Sequence, residues 1–247
     1  MRVANLFARE PYRRRLRTAF VKARSLIDGV RLVRRYPFLG DGYPARAAEA
    51  RATLEGLHRE YLAGVSPAGM TISLELACLL WVWLERARPG AVADLGSGFS
   101  SYVVRAFRER SGRPIRIVSV DDQARWLEKT RAYLRERKLP VDDLVSWEAF
   151  HAGRERFDCI LHDLGTMALR LDTLDAVLER CAPLGALLLD DFHRPEYARP
   201  AAAVVRRAGH PLFYARRWTV DEFGRFAAIV AAPGPRGPVL RRVPVPV

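Results

Sequence analysis

Four short stretches of the chain carry residues able to bind a ligand or move a proton. The first is Ala93-Asp94-Leu95-Gly96-Ser97-Gly98-Phe99-Ser100-Ser101, in which two glycines stand between an apolar run and a helical pattern. Glycine adopts backbone torsions closed to other residues and lets another molecule approach closely. A helix starting just beyond presents unpaired N–H groups to an anion. Asp94, Gly96, Ser97, Gly98 and Ser101 are therefore candidate ligand-binding residues. The second stretch, Val120-Asp121-Asp122, ends an apolar run about 25 residues past Gly96. A carboxylate of Asp121 or Asp122 at a strand end can accept both hydroxyls of a ribose. A dinucleotide fingerprint would need a third glycine where Phe99-Ser100-Ser101 stands, so the loop suits an anion smaller than a pyrophosphate, such as a carboxylate. The remaining two stretches are Leu161-His162-Asp163-Leu164-Gly165 and Asp190-Asp191-Phe192-His193-Arg194. Asp163, Asp191 and His193 there admit two chemistries: general-base removal of a proton from a hydroxyl by His193, or the holding of a divalent cation by carboxylates.

These residues can cooperate only if the fold gathers them. From residue 91 onward short apolar runs alternate with helical periodicity. Strands are expected over 91–95, 115–120, 144–147, 157–161, 186–189, 212–218 and 226–231. Helices are expected over 100–110, 123–138, 171–181 and 200–208. Continuously apolar strands alternating with helices imply a parallel sheet covered on both faces. In such a sheet the carboxyl ends of neighbouring strands open onto one crevice, and all four stretches lie at strand ends. The last two runs are too close for a crossover, so one must be antiparallel. Before the sheet, helices are expected over 1–36, 45–62 and 71–87, the last stopped by Pro89-Gly90. Trp81 and Trp83 in that helix are expected in the core, and Tyr197 and Trp218 near a substrate pocket.

At these residues the chain resembles the class I S-adenosylmethionine-dependent methyltransferases: Asp94, Gly96 and Gly98 reproduce the acidic-x-Gly-x-Gly form of their first motif. The resemblance covers about residues 66–231 and is most similar to small-molecule O-methyltransferases of the catechol type. It implies an α/β fold, a Rossmann-like doubly wound, mostly parallel seven-stranded sheet with an antiparallel strand near one edge, here preceded by N-terminal helices. It implies S-adenosylmethionine as cofactor, with Met70 and Ile72 of Ala68–Ser73 at its methionine end and Glu148-Ala149 at its adenine. It also implies a divalent metal, Mg²⁺, on Asp163 and Asp191. Phe192 stands where the pattern places a third ligand, for which Asp190 or His193 would have to substitute. The Asp/Asn-Pro-Pro-aromatic motif of nucleic-acid amine methylation is replaced by Leu161–Gly165. The implied reaction is methyl transfer to a hydroxyl of a small molecule. A non-catalytic nucleoside-binding module and a nucleic-acid methyltransferase remain the alternatives.

Composition sets the wider frame. The 247 residues carry a net charge of +13, and lysine occurs only at positions 22, 129 and 138. Residues 1–50 hold twelve basic against four acidic side chains, so +8 lies there. The division expected is a basic helical extension over 1–65, a Rossmann-like domain over 66–231 and a tail over 232–247, whose five prolines and two glycines predict disorder. Basic amphipathic helices over 1–36 either pack on the domain or meet an anionic membrane surface. No run of about 18 apolar residues occurs, so no membrane span is expected. The arginine-rich start lacks the apolar core of a signal peptide, which predicts a cytoplasmic location, peripheral to the membrane if the surface contact holds. Cys78, Cys159 and Cys181 are far apart and read as buried thiols. A homo-oligomer is left open.

Overall fold

The computed structural model describes the backbone of residues 10–233 and the side chains of residues 18–233. Residues 234–247, most of the expected tail, and residues 1–9 lie outside the described residues. Three helices come first: α1 (Glu10–Arg35), α2 (Tyr43–Gly64) and α3 (Leu74–Ala87). Then follow β1 (Ala91–Leu95), α4 (Phe99–Ser111), β2 (Arg116–Asp121), α5 (Ala124–Glu136), β3 (Leu144–Ser146), α6 (Trp147–Ala152) and β4 (Phe157–His162). The chain continues through α7 (Met167–Glu179), β5 (Cys181–Leu189), α8 (Pro195–Arg207), β6 (Leu212–Tyr214), α9 (Arg216–Thr219) and β7 (Ala228–Ala231). The seven strands form one sheet in the order β3-β2-β1-β4-β5-β7-β6. β7 runs antiparallel to both β5 and β6, and the other pairings are parallel. This is the doubly wound α/β sheet expected, with the antiparallel strand one place in from the edge.

Side chains alternate across a strand, and the core divides accordingly. Val92, Ile117, Leu161, Leu188 and Ile229 share one cluster with Leu32, Leu54, Tyr61 and Leu76 of α1, α2 and α3. Ala93, Val118, Ile160, Leu187 and Val230 point the other way, onto Leu174 and Val177 of α7 and Tyr197 and Val205 of α8. Trp81 and Trp83 are core residues; Trp83 meets Tyr36 and Phe38 edge-on with ring centroids 4.7 and 5.2 Å away. The three cysteines are buried and unpaired. Among the described residues no helix is long and apolar enough to cross a membrane.

α1 is one continuous helix lying along the outer edge of β6. The buried Asp28 carboxylate accepts the Tyr214 amide at 3.0 Å, and Arg24 donates to the Leu212 carbonyl at 3.3 Å while pairing with Asp28 at 2.6 Å. The helix thus supplies an acceptor and a donor to a strand edge that, among the described residues, has no strand beside it.

Several boundaries differ from expectation for local reasons. α3 starts at Leu74, not 71, because Thr71 is extended and Ser73 caps the helix, its Oγ accepting the Leu76 amide at 3.1 Å. α8 starts at Pro195, the favoured first-turn position, and carries Pro200 inside it. β3 stops at Ser146, whose Oγ accepts the Ala149 amide and starts α6 at once. The run expected as a strand over 212–218 keeps only Leu212–Tyr214 before α9.

Candidate functional site

The carboxyl ends of β1, β2, β4 and β5 open onto one cleft of about 280 Å³. Its floor is the turn after β1. Gly96 has φ +99°, and a Cβ there would overlap the backbone carbonyl of Asp163 at the end of β4. The amides of Gly96 and Ser97 both donate to the Val120 carbonyl, at 2.8 and 3.0 Å, which locks the turn to β2. Glycine is therefore demanded here by the contact of two strand ends as much as by any ligand. Behind the turn, Asp94 is fully buried and accepts Ser101 Oγ at 2.5 Å and Ser119 Oγ at 3.2 Å, tying α4 to β1 and β2. Burial raises its carboxyl above the ordinary value.

Asp121 and Asp122 wall one end of the cleft. Asp121 Oδ2 accepts both the amide and the hydroxyl of Ser97 at 3.0 Å, and its Oδ1 accepts the Gln123 amide. Burial pushes its carboxyl up to about 6. Asp122 Oδ1 is buried and has no hydrogen-bond partner. Trp126, from the first turn of α5, lines the same end. Tyr61 of α2 and the segment Ser66–Thr71 close the cleft from the opposite side, and Met70 lies at its rim, 59% exposed. Arg225, in the turn before β7, holds that segment down: it donates to the Ala68 carbonyl at 2.7 Å and pairs with Asp221 at 2.6 Å.

The other end is built from Asp163, Asp190, Asp191 and Arg170. Arg170 of α7 is 5% exposed, and its guanidinium lies 2.5 Å from Asp163 Oδ1 and 3.2 Å from Asp191 Oδ2. Its Nε and Nη2 also donate to the carbonyls of Leu164 and Gly165. Burial raises the Asp163 carboxyl, with the guanidinium opposing it; burial of Arg170 is outweighed by the three carboxylates, which hold it above its ordinary value. Asp190 accepts the Asp191 amide at 2.6 Å, and burial reinforced by the Asp191 charge pushes its carboxyl up to about 6. The Tyr197 hydroxyl is buried without a partner behind this group.

Of the residues singled out from sequence, Met70, Gly96, Ser97, Asp121, Asp122, Asp163 and Asp191 line the cleft. Asp94, Gly98 and Ser101 do not; Asp94 and Ser101 support the turn from behind. Ile72 is buried in the core. Glu148 and Ala149 are exposed on α6, because β3 ends at Ser146, which caps α6 and turns the chain outward. His193 also stands outside the lining. Asp191 has φ +54°, which turns the chain so that Phe192 buries against Tyr197 and Tyr214. His193 then lies behind Asp191, Nδ1 to Oδ1 3.6 Å, with its ring toward Phe226, and burial lowers its pKa. Trp218 is likewise core, donating to the Leu39 carbonyl. Among the described residues no three His, Cys, Asp or Glu side chains are grouped to hold a metal. Sequence reading missed Tyr61, Trp126, Arg170 and Arg225. Only Arg170, seven residues past Asp163 on the following helix, left a local signal.

Known structures agree with this geometry at the level of fold. A Bacillus cereus O-methyltransferase in complex with S-adenosylhomocysteine superposes with a TM-score of 0.53 at 16% identity, covering 73% of this chain and 90% of that one. An O-methyltransferase from Klebsiella pneumoniae, itself assigned only provisionally, gives 0.53 at 15% identity, covering 87% and 99%. A precorrin-6y C5,15-methyltransferase from Geobacter metallireducens gives 0.52 at 17% identity, covering 68% and 92%. No protein-family model and no curated protein sequence matches the chain. The chain has the Rossmann-like fold of the class I methyltransferases.

Proposed function

We propose that the protein transfers a methyl group from S-adenosylmethionine to a hydroxyl of a small molecule. The observation that carries this reading is the two-ended cleft: a glycine turn and the acids Asp121 and Asp122 at one end, and at the other Asp190, whose carboxyl is raised above its ordinary value by burial. When bound, S-adenosylmethionine supplies an activated methyl group. The residues of the chain bind, orient and deprotonate. The Gly96–Ser97 turn lines the cleft floor and sets where the methionine moiety can lie. Asp122 Oδ1, buried and unpartnered, accepts a ribose hydroxyl beside Asp121. Trp126 offers the purine an aromatic face. Asp190 takes the proton of the acceptor hydroxyl, since a base acts best when its pKa lies near the working pH. His193, outside the lining, is the weaker candidate for that role.

Calorimetry with S-adenosylhomocysteine tests the binding half. Micromolar affinity, roughly −8 kcal/mol, is expected, with none for NAD, and Asp122→Ala should weaken binding by about 1–3 kcal/mol. A screen of hydroxylated acceptors tests the reaction. Asp190→Asn should lower turnover about 100- to 10,000-fold while cofactor affinity is kept. The opposite pattern, with His193→Ala carrying the loss, would transfer the role to the imidazole.

The outward face of α1 favours a second contact, with an anionic lipid surface. Phe20, Leu26, Ile27 and Val30 are each more than half exposed. Exposed Arg31 and Arg34 follow Ile27 and Val30 by one helical turn on the same side. An apolar stripe edged by arginines suits the boundary of an acidic bilayer, whereas two copies meeting here would bring like charges together. Sedimentation with phosphatidylglycerol vesicles should capture the protein at low salt, and Leu26→Glu/Ile27→Glu should release it. No sedimentation of the intact chain at low salt would remove this reading.

A further inference from the structure

We infer that Arg170 is a built-in cation that takes the place of a divalent metal at the acceptor end of the cleft. The inference rests on the proposed function only for the meaning of "acceptor end"; the cation site itself follows from geometry. Asp163, Asp190 and Asp191 line the cleft at the ends of two adjacent strands, and Asp163 and Asp191 are bridged by Arg170. Buried carboxylates at such close quarters need a counter-charge. In principle a metal could supply it. Here a planar guanidinium supplies it, with separate nitrogens on Asp163 and Asp191 at 2.5 and 3.2 Å. A fork of this shape matches carboxylate oxygens, and Arg stays charged when buried. Nε and the second N–H of Nη2 donate to the Leu164 and Gly165 carbonyls, which fix the guanidinium from the far side. Arg170 is buried along its whole length, so it is part of the fold and not a surface arginine that has swung in. A metal could reach Asp163 and Asp191 together only by displacing the Arg170 guanidinium that lies between them.

The arrangement has a chemical consequence. A metal would draw the acceptor oxygen onto itself and lower its pKa by direct bonding. A guanidinium already shared between two carboxylates has little charge to spare for that. Its work is positional: it holds Asp163 and Asp191 still and leaves Asp190 as the one acid of the group outside its hydrogen bonds.

Manganese titration tests the assignment, read by electron paramagnetic resonance and by thermal melting of the full chain. The wild type should show no stoichiometric Mn²⁺ binding and no shift in melting, and methyl transfer should survive chelation. Arg170→Ala opens the cluster. It should bind Mn²⁺ and gain about 5–10 °C in melting temperature at a hundredfold excess over the dissociation constant. Adding Asp163→Asn to that variant should abolish the gain. Arg170→Lys, which keeps a charge, should fold without Mn²⁺ and stay indifferent to it. If Arg170→Ala does not fold, the comparison of wild type with Asp163→Asn decides: equal indifference to Mn²⁺ supports the inference. Tight Mn²⁺ binding by the wild type that is lost in Asp163→Asn would overturn it, as would a folded Arg170→Ala that ignores Mn²⁺. S-adenosylhomocysteine calorimetry on the same samples keeps a failure of the proposed function separate, because loss of cofactor binding leaves the metal readout intact.

Discussion

A carboxyl group held near pH 6 responds to pH at both of its tasks. Burial raises Asp121 to about 6, above the value of ~3.9 it has when unfolded. Its ionised form therefore costs stability above about pH 6, and the cost fades as pH falls toward 4. Under the proposed function ligand binding would run the other way, because a ribose hydroxyl is accepted by the carboxylate. S-adenosylhomocysteine should bind about tenfold more weakly at about pH 5 than at about pH 7.5, and Asp121→Asn should flatten that profile in calorimetry. At Gly96 the prediction concerns the fold. Its φ of +99° and the overlap of any Cβ with the Asp163 carbonyl should make Gly96→Ala cost about 3 kcal/mol or more, seen as a lower urea midpoint. Both residues were legible in the sequence, because a glycine turn or an acid at a strand end is a local pattern. Arg170 and Arg225 were not. Each acts through a partner from another element, Arg170 on Asp191 and Arg225 on the Ala68 carbonyl, and apart from the seven-residue spacing of Arg170 from Asp163 nothing near them in the chain marks that approach. His193 was legible as a residue and misplaced as a group, since one left-handed torsion at Asp191 decides where it points.

Among the elements, the strands and their mostly parallel pairing followed from apolar runs and spacing, whereas their ends did not. The sheet's parallel character and its one reversed strand are consequences of connection length. The stop of β3 depends on a single serine cap, and the start of α8 on which of two prolines takes the first turn. α1 shows the same limit more sharply. Its periodicity predicts a helix, but its attachment to β6 runs through Asp28, a buried acid among many surface charges. Asp28→Ala strands the Tyr214 amide and removes the partner of Arg24, and should destabilise the chain by about 1–3 kcal/mol. Chemical denaturation should show the midpoint falling with an unchanged slope. Asp28→Asn, which keeps an acceptor, should recover part of the loss.

For the whole molecule the decisive feature is that side chains on both sides of residue 65 share one cluster: Leu32, Leu54 and Tyr61 pack with Val92, Ile117 and Leu188. Tyr61 also reaches the cleft. Calorimetric melting is therefore expected to show one cooperative transition, and S-adenosylhomocysteine should raise it as a unit. Removing residues 1–36 should lower solubility as well as stability, because it bares a strand as well as apolar surface. The covering of β6 by Arg24 and Asp28 bears finally on how copies of this chain can meet. A sheet grows between molecules by lending the free backbone groups of its last strand to a neighbour. On this side those groups at Leu212 and Tyr214 are already spent within the chain, so two protomers cannot join here into one continuous sheet, and any assembly using this flank must be made through the outer surfaces of helices.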